Sequence, residues 1–364
     1  MKIKVNKDAF ITALQQVQSV INTRNPLPVL SNVLFRAADG HLELTGTDTS
    51  LTVKTAIEAE VAEPGTTTLP PKRIFGVVRE LPVDTAELDI SPENVASIHS
   101  GSSDFKINGL GAEDFPAQVA LDGAKTFTLD QGVFKNMLRL TSYAASTDAN
   151  RTLLNGVLLS FKGGRLSAVA TDSRRLALVE QELAIPESDE ADLIVPLKTV
   201  DELLRTLGSE GEIRISATPK LAAFEYGSIL VTSKLVEGVY PNFRQVVPQA
   251  SGERVTLDRD SFLTAIRRTS QLVSDAVSGV KLTFGADQLE ILATAPDIGE
   301  ARERMAVKYS GKDVTISFNP AFLMDPLKNL TTDEVYLDLI DDTSPGVIRS
   351  TVSFVYVLMP IRLS

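Results

Sequence analysis

The 364-residue chain contains no cysteine and no tryptophan, and only two histidines, His41 and His99. Without thiols, neither a disulfide nor a thiolate zinc site can form. With two histidines, a Ser–His relay, a histidine metal cluster and a histidine acid–base pair are nearly ruled out by supply. No metal site is expected. No run of 18 uncharged apolar residues occurs, so no membrane-spanning helix is expected. The first residues, Met1-Lys2-Ile3-Lys4-Val5-Asn6, alternate as a strand does and lack the apolar segment of a signal peptide. Neither a phosphate-cradling P-loop nor a strand-linked GxGxxG is present, so no cofactor is expected. These absences fit a cytoplasmic protein.

What organises the chain is repetition. Val5-Asn6-Lys7-Asp8-Ala9-Phe10, Leu129-Asp130-Gln131-Gly132-Val133-Phe134 and Leu257-Asp258-Arg259-Asp260-Ser261-Phe262 lie over one another, their phenylalanines 124 and 128 residues apart. Leu44-Thr45-Gly46-Thr47-Asp48, Ala168-Val169-Ala170-Thr171-Asp172 and Ile291-Leu292-Ala293-Thr294-Ala295 do the same, their second threonines or equivalents 124 and 123 apart. Leu69-Pro70, Val195-Pro196 and Asn319-Pro320 mark a third landmark; Phe115-Pro116, Tyr240-Pro241 and Met359-Pro360 mark a fourth. A unit of about 120 residues is far longer than a solenoid repeat and can bury its own core. The reading is three similar domains, 1–121, 125–250 and 253–364, linked near 118–125 and 249–253. Asp48 and Asp172 recur at a strand-to-turn boundary, where a carboxylate ordinarily satisfies backbone N–H groups.

Each unit carries two helical patterns, at 6–18 and 71–82, 131–144 and 197–207, and 259–272 and 320–330. Phe10, Leu14 and Val17 recur three to four residues apart, as do Phe134, Met137, Leu138 and Leu140, and Phe262, Leu263 and Ile266. This spacing gives an amphipathic helix with one buried face. Asp8, Asp130 and Asp260 are expected to complement the free N–H groups at helix starts. After each helix, alternating runs predict a meander, with turns at Asp39-Gly40 and Gly163-Gly164. The expected fold class is α+β, two helices packed on antiparallel sheet in each domain. Exposed edges need partners, so equal domains in a row are expected to join edge to edge in an arc. A head-to-tail contact that closes makes a ring.

Charge is unevenly placed. The net charge is −11, yet the six helical stretches hold twelve Lys or Arg against six Asp or Glu. The helices therefore carry +6 and the rest of the chain −17. Part of this is the good helix propensity of Lys and Arg. A basic helical lining with an acidic exterior would also suit an encircled polyanion.

Five segments carry a family resemblance: Asn25-Pro26-Leu27-Pro28-Val29-Leu30-Ser31-Asn32, Leu154-Asn155-Gly156-Val157, Ala170-Thr171-Asp172-Ser173-Arg174-Arg175-Leu176-Ala177, Tyr240-Pro241-Asn242-Phe243 and Met359-Pro360-Ile361-Arg362-Leu363. In this order, on a threefold repeat, the whole chain resembles the bacterial DNA sliding clamps, the beta subunits of DNA polymerase III. The resemblance implies a homodimeric, head-to-tail ring of three-domain subunits around duplex DNA, without sequence specificity. It implies a non-catalytic processivity factor that tethers the replicative DNA polymerase. The clamp loader and other proteins with a clamp-binding motif would dock in a cleft between domains II and III. A ring held by topology needs only modest phosphate contacts, which reconciles it with a negative chain.

By the resemblance the cleft maps onto Leu154, Thr171, Ser173, Arg174, Arg175 and Leu176, then Pro241, Gln245 and Val246. It continues through Asn319 and Phe322 to Val357, Met359, Pro360, Ile361 and Arg362. Leu154, Leu176, Val246, Val357 and Met359 are expected to form an apolar pocket, with Arg175 and Arg362 at its edges for a partner's carboxylate or backbone. Leu154 and Val157 read equally as core. Ser173-Arg174 stands where the family often has Gly-His, and Phe322 where Tyr is frequent. The DNA-facing residues implied are Arg24, Lys72, Arg73, Arg151 and Lys198; the helix charge count adds Lys135, Arg139, Arg267 and Arg268. The dimer contact is expected to set Phe105 and Ile107 against Leu272 and Val273, with Glu300 and Glu303 as its acidic members. The family's basic partners near Phe105 are mostly replaced by Ser102, Ser103 and Asp104, leaving Lys106 or Arg73 to substitute.

Two other classes meet the sequence less well. A carboxylate-based hydrolase needs paired acids converging in a cleft, and the repeats offer none at a consistent position. A clamp-like relative that binds partners without enclosing DNA would not need both the cleft residues and the basic helices.

Overall fold

A computed structural model describes residues 1–22, 25–117, 119–248, 252–272, 279–295 and 299–361. Among them are six α-helices: α1 (Lys7–Gln18), α2 (Pro71–Arg79), α3 (Gln131–Thr141), α4 (Leu197–Thr206), α5 (Arg259–Thr269) and α6 (Pro320–Asn329). The other regular elements are antiparallel strands and short 3-10 turns. Helices α3 and α5 end earlier than their apolar patterns suggest, because 3-10 turns Ser142–Ala144 and Ser270–Leu272 take over the last stretch. Phe10, Phe134 and Phe262, the repeat's first landmark, are fully buried.

Two kinds of residue serve the helix starts, caps and first-turn carboxylates. The caps are Asn6, Asp130 and Asp258, whose side-chain oxygens accept from the N–H of Ala9 (3.0 Å), Val133 (2.9 Å) and Ser261 (2.8 Å). Asp8 and Asp260 sit inside the first turn instead. Only the residue just before the helix, in extended conformation, can fold its side chain back onto the open N–H groups. Hydrogen bonds from Ser261 hold the Asp258 carboxyl below its ordinary pKa.

Each first helix also clamps the far end of the second through one residue at its start. Lys7 Nζ donates to Leu81 O (2.7 Å). Gln131 Oε1 accepts from Gly208 N–H (3.1 Å). Arg259 donates to Leu327 O (3.1 Å) and Thr332 O (2.7 Å). Carbonyls of and just after a last helical turn have no partner within the helix, so the Lys7 and Arg259 side chains satisfy them, whereas Gln131 takes up an N–H just past the helix end.

The chain packs as two compact units, Met1–Lys135 with Asp201–Leu235 and Asn136–Val200 with Val236–Ser364. In the first, strand Leu51–Glu63 of repeat one pairs with strand Ile229–Lys234 of repeat two, Thr52 opposite Thr232, within one twelve-stranded sheet. In the second, strand Arg175–Glu182 of repeat two pairs with strand Phe354–Leu358 of repeat three, Leu176 opposite Val357, within an eight-stranded sheet. A separate four-stranded sheet there ends in strand Gly299–Ala306. Repeats therefore join edge to edge, as unsatisfied strand edges require.

Candidate binding cleft

Strand Arg165–Thr171 runs into a turn whose backbone is tied by its own side chains. Asp172 Oδ1 accepts from the N–H of Arg174 (2.9 Å) and Arg175 (3.0 Å). Thr171 Oγ1 donates to Arg175 O (2.6 Å) and accepts from Ser173 N–H (3.1 Å). Ser173 takes φ 76°, in the left-handed region. The turn delivers strand Arg175–Glu182 against Phe354–Leu358, and Met359 N–H extends the ladder by donating to Arg174 O (2.9 Å).

Where this ladder ends there is a cavity of about 230 Å³. It is lined by Leu154, Thr171, Ser173, Arg174, Arg175, Leu176, Pro241, Phe243, Val246, Val357 and Met359. Leu176 and Val357 are buried and belong to an apolar cluster with Leu154, Leu158, Val169, Leu178, Ile194, Tyr240 and Phe243. Met359 and Val246 remain 43% and 46% exposed. The cavity thus has a core floor and apolar walls open to solvent. The Tyr240 hydroxyl accepts from Thr171 N–H (3.1 Å), and burial raises its pKa, so the ring stays neutral beneath the turn.

Sequence reasoning gathered most of this lining and missed Phe243. Its signal was the aromatic residue in Tyr240-Pro241-Asn242-Phe243; the chain there makes a short turn, Phe243–Gln245, that lays the ring onto the cluster. Gln245, on the same turn, is exposed and does not line the cavity. Asn319 caps α6 instead, accepting from Ala321 N–H (2.9 Å) and Phe322 N–H (3.3 Å). Phe322 lines a neighbouring cavity of about 330 Å³, which shares Arg174 and Arg175 with the first. Pro360 and Ile361 are half-buried, with Ile361 N–H donating to Ser317 O (2.8 Å). Arg362 lies outside the described residues.

Arg175 does not serve as a free edge cation. Its side chain is 10% exposed and bonded through all three nitrogens: Nε to Asp172 Oδ2 (3.0 Å), Nη1 to Asp325 Oδ2 (2.5 Å) and Nη2 to Tyr143 O (2.6 Å). The Phe322 ring lies 4.2 Å from the guanidinium carbon. Two carboxylates and a carbonyl take one donor from each of its three nitrogens, and an aromatic face covers its plane. Arg174 is the exposed cation of the wall.

Lys72 and Arg73 are exposed in the first turn of α2, and Lys198 in the first turn of α4. Arg151 is exposed and donates to Asp172 O (3.1 Å) and Ser173 Oγ (3.0 Å), beside the cleft turn. Arg24 lies outside the described residues. Among the residues added by charge count, three are committed within the chain. Lys135 donates to Leu207 O (2.6 Å), Arg139 to Asn329 O and to Asn136 Oδ1 (2.7 Å), and Arg268 holds Glu303 with two bonds (2.6 and 2.9 Å). Helix-end carbonyls and a neighbouring carboxylate claim these cations first, which a charge count does not register. Arg267 is exposed.

Phe105 and Ile107 lie on strand Ser103–Asn108, which ends its sheet. Ile107 is already 7% exposed within its own subunit. Glu300 is exposed on the edge strand Gly299–Ala306. Leu272 ends the turn after α5, and Val273 lies outside the described residues. Among the described residues no cluster of His, Cys, Asp and Glu is placed to hold a metal, and no helix is long and apolar enough to cross a membrane.

A repeated α+β domain, joined strand to strand and carrying an apolar cleft at one junction, defines a clamp-type scaffold. Models of the DNA polymerase III beta subunit match throughout: its N-terminal domain at residues 1–120, central domain at 128–242 and C-terminal domain at 244–362. The beta sliding clamp of Chlamydia muridarum is 32% identical over 363 residues, covering 100% of this chain and 99% of that one. The beta sliding clamp of Pseudomonas putida is 35% identical over 368 residues, with 100% of each covered. The crystal structure of the Pseudomonas aeruginosa sliding clamp bound to griselimycin aligns over 100% of both chains, with a TM-score of 0.96 at 33% identity. The chain belongs to the DNA polymerase III beta subunit family, the beta sliding clamps. It has the three-domain clamp fold and is a non-catalytic processivity factor of DNA replication.

Proposed function

We propose that two copies of this chain close head to tail into a ring around duplex DNA in the cytoplasm. The cleft then holds the replicative DNA polymerase, the clamp loader and other clamp-binding proteins by a short, extended peptide. The domains that form the ring are taken as 1–121, 125–250 and 253–364. The observation that carries the docking role is the cavity with a buried Leu176–Val357 floor and half-exposed Met359 and Val246 walls. Each Leu- or Phe-sized anchor buried there contributes roughly 1.5–3 kcal/mol, so two anchors suffice to direct a short peptide.

The DNA-facing role rests on Lys72, Arg73 and Lys198. Cations in a first helical turn oppose the helix dipole, so these positions do not follow from helix stability. They suit loose, sequence-independent phosphate contact.

The docking test removes residues 359–364 and measures binding of a peptide from the polymerase. The expected result is a folded dimer without peptide binding, the fold being checked by thermal melting because Met359 and Ile361 also bond Arg174 O and Ser317 O; a folded product that keeps its full affinity overturns the assignment. The ring test loads the protein on circular DNA. Retention should survive moderate salt and end when the circle is cut; equal retention on linear DNA would refute the ring.

A further inference from the structure

We infer that Arg151 is a positioning residue of the cleft. Its guanidinium ties loop 146–154 to turn 171–175 and holds two walls of the apolar cavity in place before a partner arrives. This rests on the docking reading above and names a residue that sets affinity without touching the peptide. The resemblance placed Arg151 among the DNA-facing cations; its bonds run to the cleft turn.

Both walls belong to one cavity. Leu154 ends the loop, Thr171, Ser173, Arg174 and Arg175 make the turn, and all five line the space of about 230 Å³, whereas Arg151 does not. The loop is closed on itself. Ser146 N–H donates to Leu154 O (2.9 Å), Arg151 N–H to Asp148 O (2.9 Å) and Leu154 N–H to Arg151 O (2.8 Å). Asp148 N–H donates to Ser146 Oγ (3.1 Å), and Asp148 Oδ1 accepts from Asn150 N–H (2.9 Å). A loop tied in this way moves as one piece, and Leu154 moves with it.

The turn is pinned from two sides. From within, Arg175 bonds Asp172, Asp325 and Tyr143 O and is 10% exposed. From outside, Arg151 Nη1 donates to Asp172 O (3.1 Å) and Ser173 Oγ (3.0 Å), while its side chain stays 49% exposed. An exposed guanidinium exchanges its partners with water far more readily than a buried one, so Arg151 governs how constantly the turn is in place. Its two bonds also fall at the strained point, because Ser173 holds φ 76°. A charged donor there offsets part of the cost of left-handed backbone.

The same chain shows the turn without this pin. Asp48 Oδ1 accepts from the N–H of Ser50 and Leu51, and Thr49 holds φ 76°. The 3-10 turns Pro28–Ser31 and Thr152–Leu154, each followed by an asparagine, set Pro28 in the place of Arg151. A proline side chain offers no donor, yet the turn forms. The cavity beside it is walled largely by hydroxyls. The cation therefore accompanies the apolar cavity and is not needed to make the turn.

A wall already in place costs a ligand less ordering on binding. Arg151→Gln in the full chain should weaken a polymerase peptide roughly threefold to tenfold by fluorescence anisotropy. The melting temperature should change little, as for any exposed contact. Arg151→Lys, which keeps one donor, should lie between the two. Ser173→Ala should weaken binding less, and should add no more than about twofold to Arg151→Gln, since both remove one tie. Salt separates positioning from contact. A guanidinium that touched a peptide carboxylate would take part of the salt dependence with it, whereas Arg151→Gln should leave that dependence unchanged. Amide exchange of the unliganded protein reads the turn directly: Ser173 and Arg174 N–H should exchange faster in Arg151→Gln. Wild-type affinity in Arg151→Gln, full additivity with Ser173→Ala, or an altered salt dependence each overturns the proposal. If the wild-type chain binds no peptide, the docking reading fails instead. The exchange rates then still report on Arg151, and unchanged rates overturn its tie to the turn.

Discussion

Two strand junctions in this chain share a backbone and differ in the side chains laid over it. At one, Met359 N–H donates to Arg174 O (2.9 Å) and Leu176 faces Val357; at the other, Lys234 N–H donates to Ser50 O (2.8 Å) and Thr52 faces Thr232. The adjoining turns also match. Asp48 Oδ1 accepts from the N–H of Ser50 and Leu51, both at 2.8 Å, as Asp172 does from Arg174 and Arg175. Yet Val169, Leu178 and Val357 on one sheet face become Thr45, Lys54 and Thr232 on the other. The second junction has the larger cavity, about 500 Å³, walled in part by Thr45, Thr47, Thr52, Thr232 and Lys234. Lys54 there is paired with Glu43 (2.6 Å). Space alone therefore does not make a docking site. Hydroxyls and ion pairs are satisfied by water and by one another, whereas open apolar walls over an apolar floor gain free energy when a hydrophobic anchor covers them.

Writing the second junction onto the first should erase the difference. Leu176→Thr, Val357→Thr and Met359→Lys together are expected to weaken polymerase-peptide binding by about 3–6 kcal/mol, more than a hundredfold, through loss of two anchor sites. Fluorescence anisotropy below the melting temperature measures this, since Leu176 and Val357 also belong to the core. Unchanged affinity would show that the apolar side chains are not what distinguishes the two junctions.

Arg175 offers the next largest effect, because Leu51 holds its place at the other junction. Arg175→Leu leaves Asp172 and Asp325 facing each other's field without their counter-ion. Removing one member of a buried pair costs about 3–5 kcal/mol, and the partial exposure of these carboxylates lowers the expectation to about 2–4 kcal/mol. Urea unfolding gives the number. A loss below 1 kcal/mol, on the scale of an exposed pair, would mean that the guanidinium network is ornamental to the cleft wall.

The contrast between these residues also marks how far sequence could be read. The phenylalanine and threonine spacings exposed three units; periodicity placed the first helix of each, because burial imposes a period that side chains must obey, and the proline landmarks placed the second. The lining of the cleft was legible where a residue's type and place in a matched segment agreed, as for Leu176 and Met359. The place of Arg175 in the lining was legible but its role was not, since a cation reads as a surface group until Asp325, 150 residues away, is seen to hold it. Lys135 and Arg139 misled for the same reason: their acceptors are helix-end carbonyls, which have no letter in a sequence. Asp130 was legible as a cap, whereas Asn6 and Asp258 were passed over for Asp8 and Asp260, because more than one short polar residue stands at each of those helix starts and only backbone conformation selects among them.

Arg174, exposed on the wall, separates anchor from rim. Arg174→Ala should change peptide binding by about 0–1 kcal/mol, because an exposed charge is well solvated before and after docking. Calorimetry with the same peptide checks it. A loss comparable to that of the triple substitution would move the main contact from the apolar floor to the rim.

The smallest expected effect lies in the matched turns themselves. Thr49 and Ser173 both hold φ 76°, where a side chain meets its own carbonyl and the left-handed conformation costs roughly 1–2 kcal/mol. Glycine relieves that strain but loses about 0.5–1 kcal/mol of backbone entropy on folding. Threonine, branched at Cβ, carries the larger strain. Thr49→Gly should therefore stabilise the chain by about 0.5–1 kcal/mol. Ser173→Gly relieves less and also removes the acceptor of Arg151 Nη1 (3.0 Å), so its net change should be near zero. Urea midpoints at unchanged m-value compare the two directly. If Ser173→Gly proves the more stabilising, strain at the turn does not follow branching at Cβ, and the two turns differ in more than their side chains.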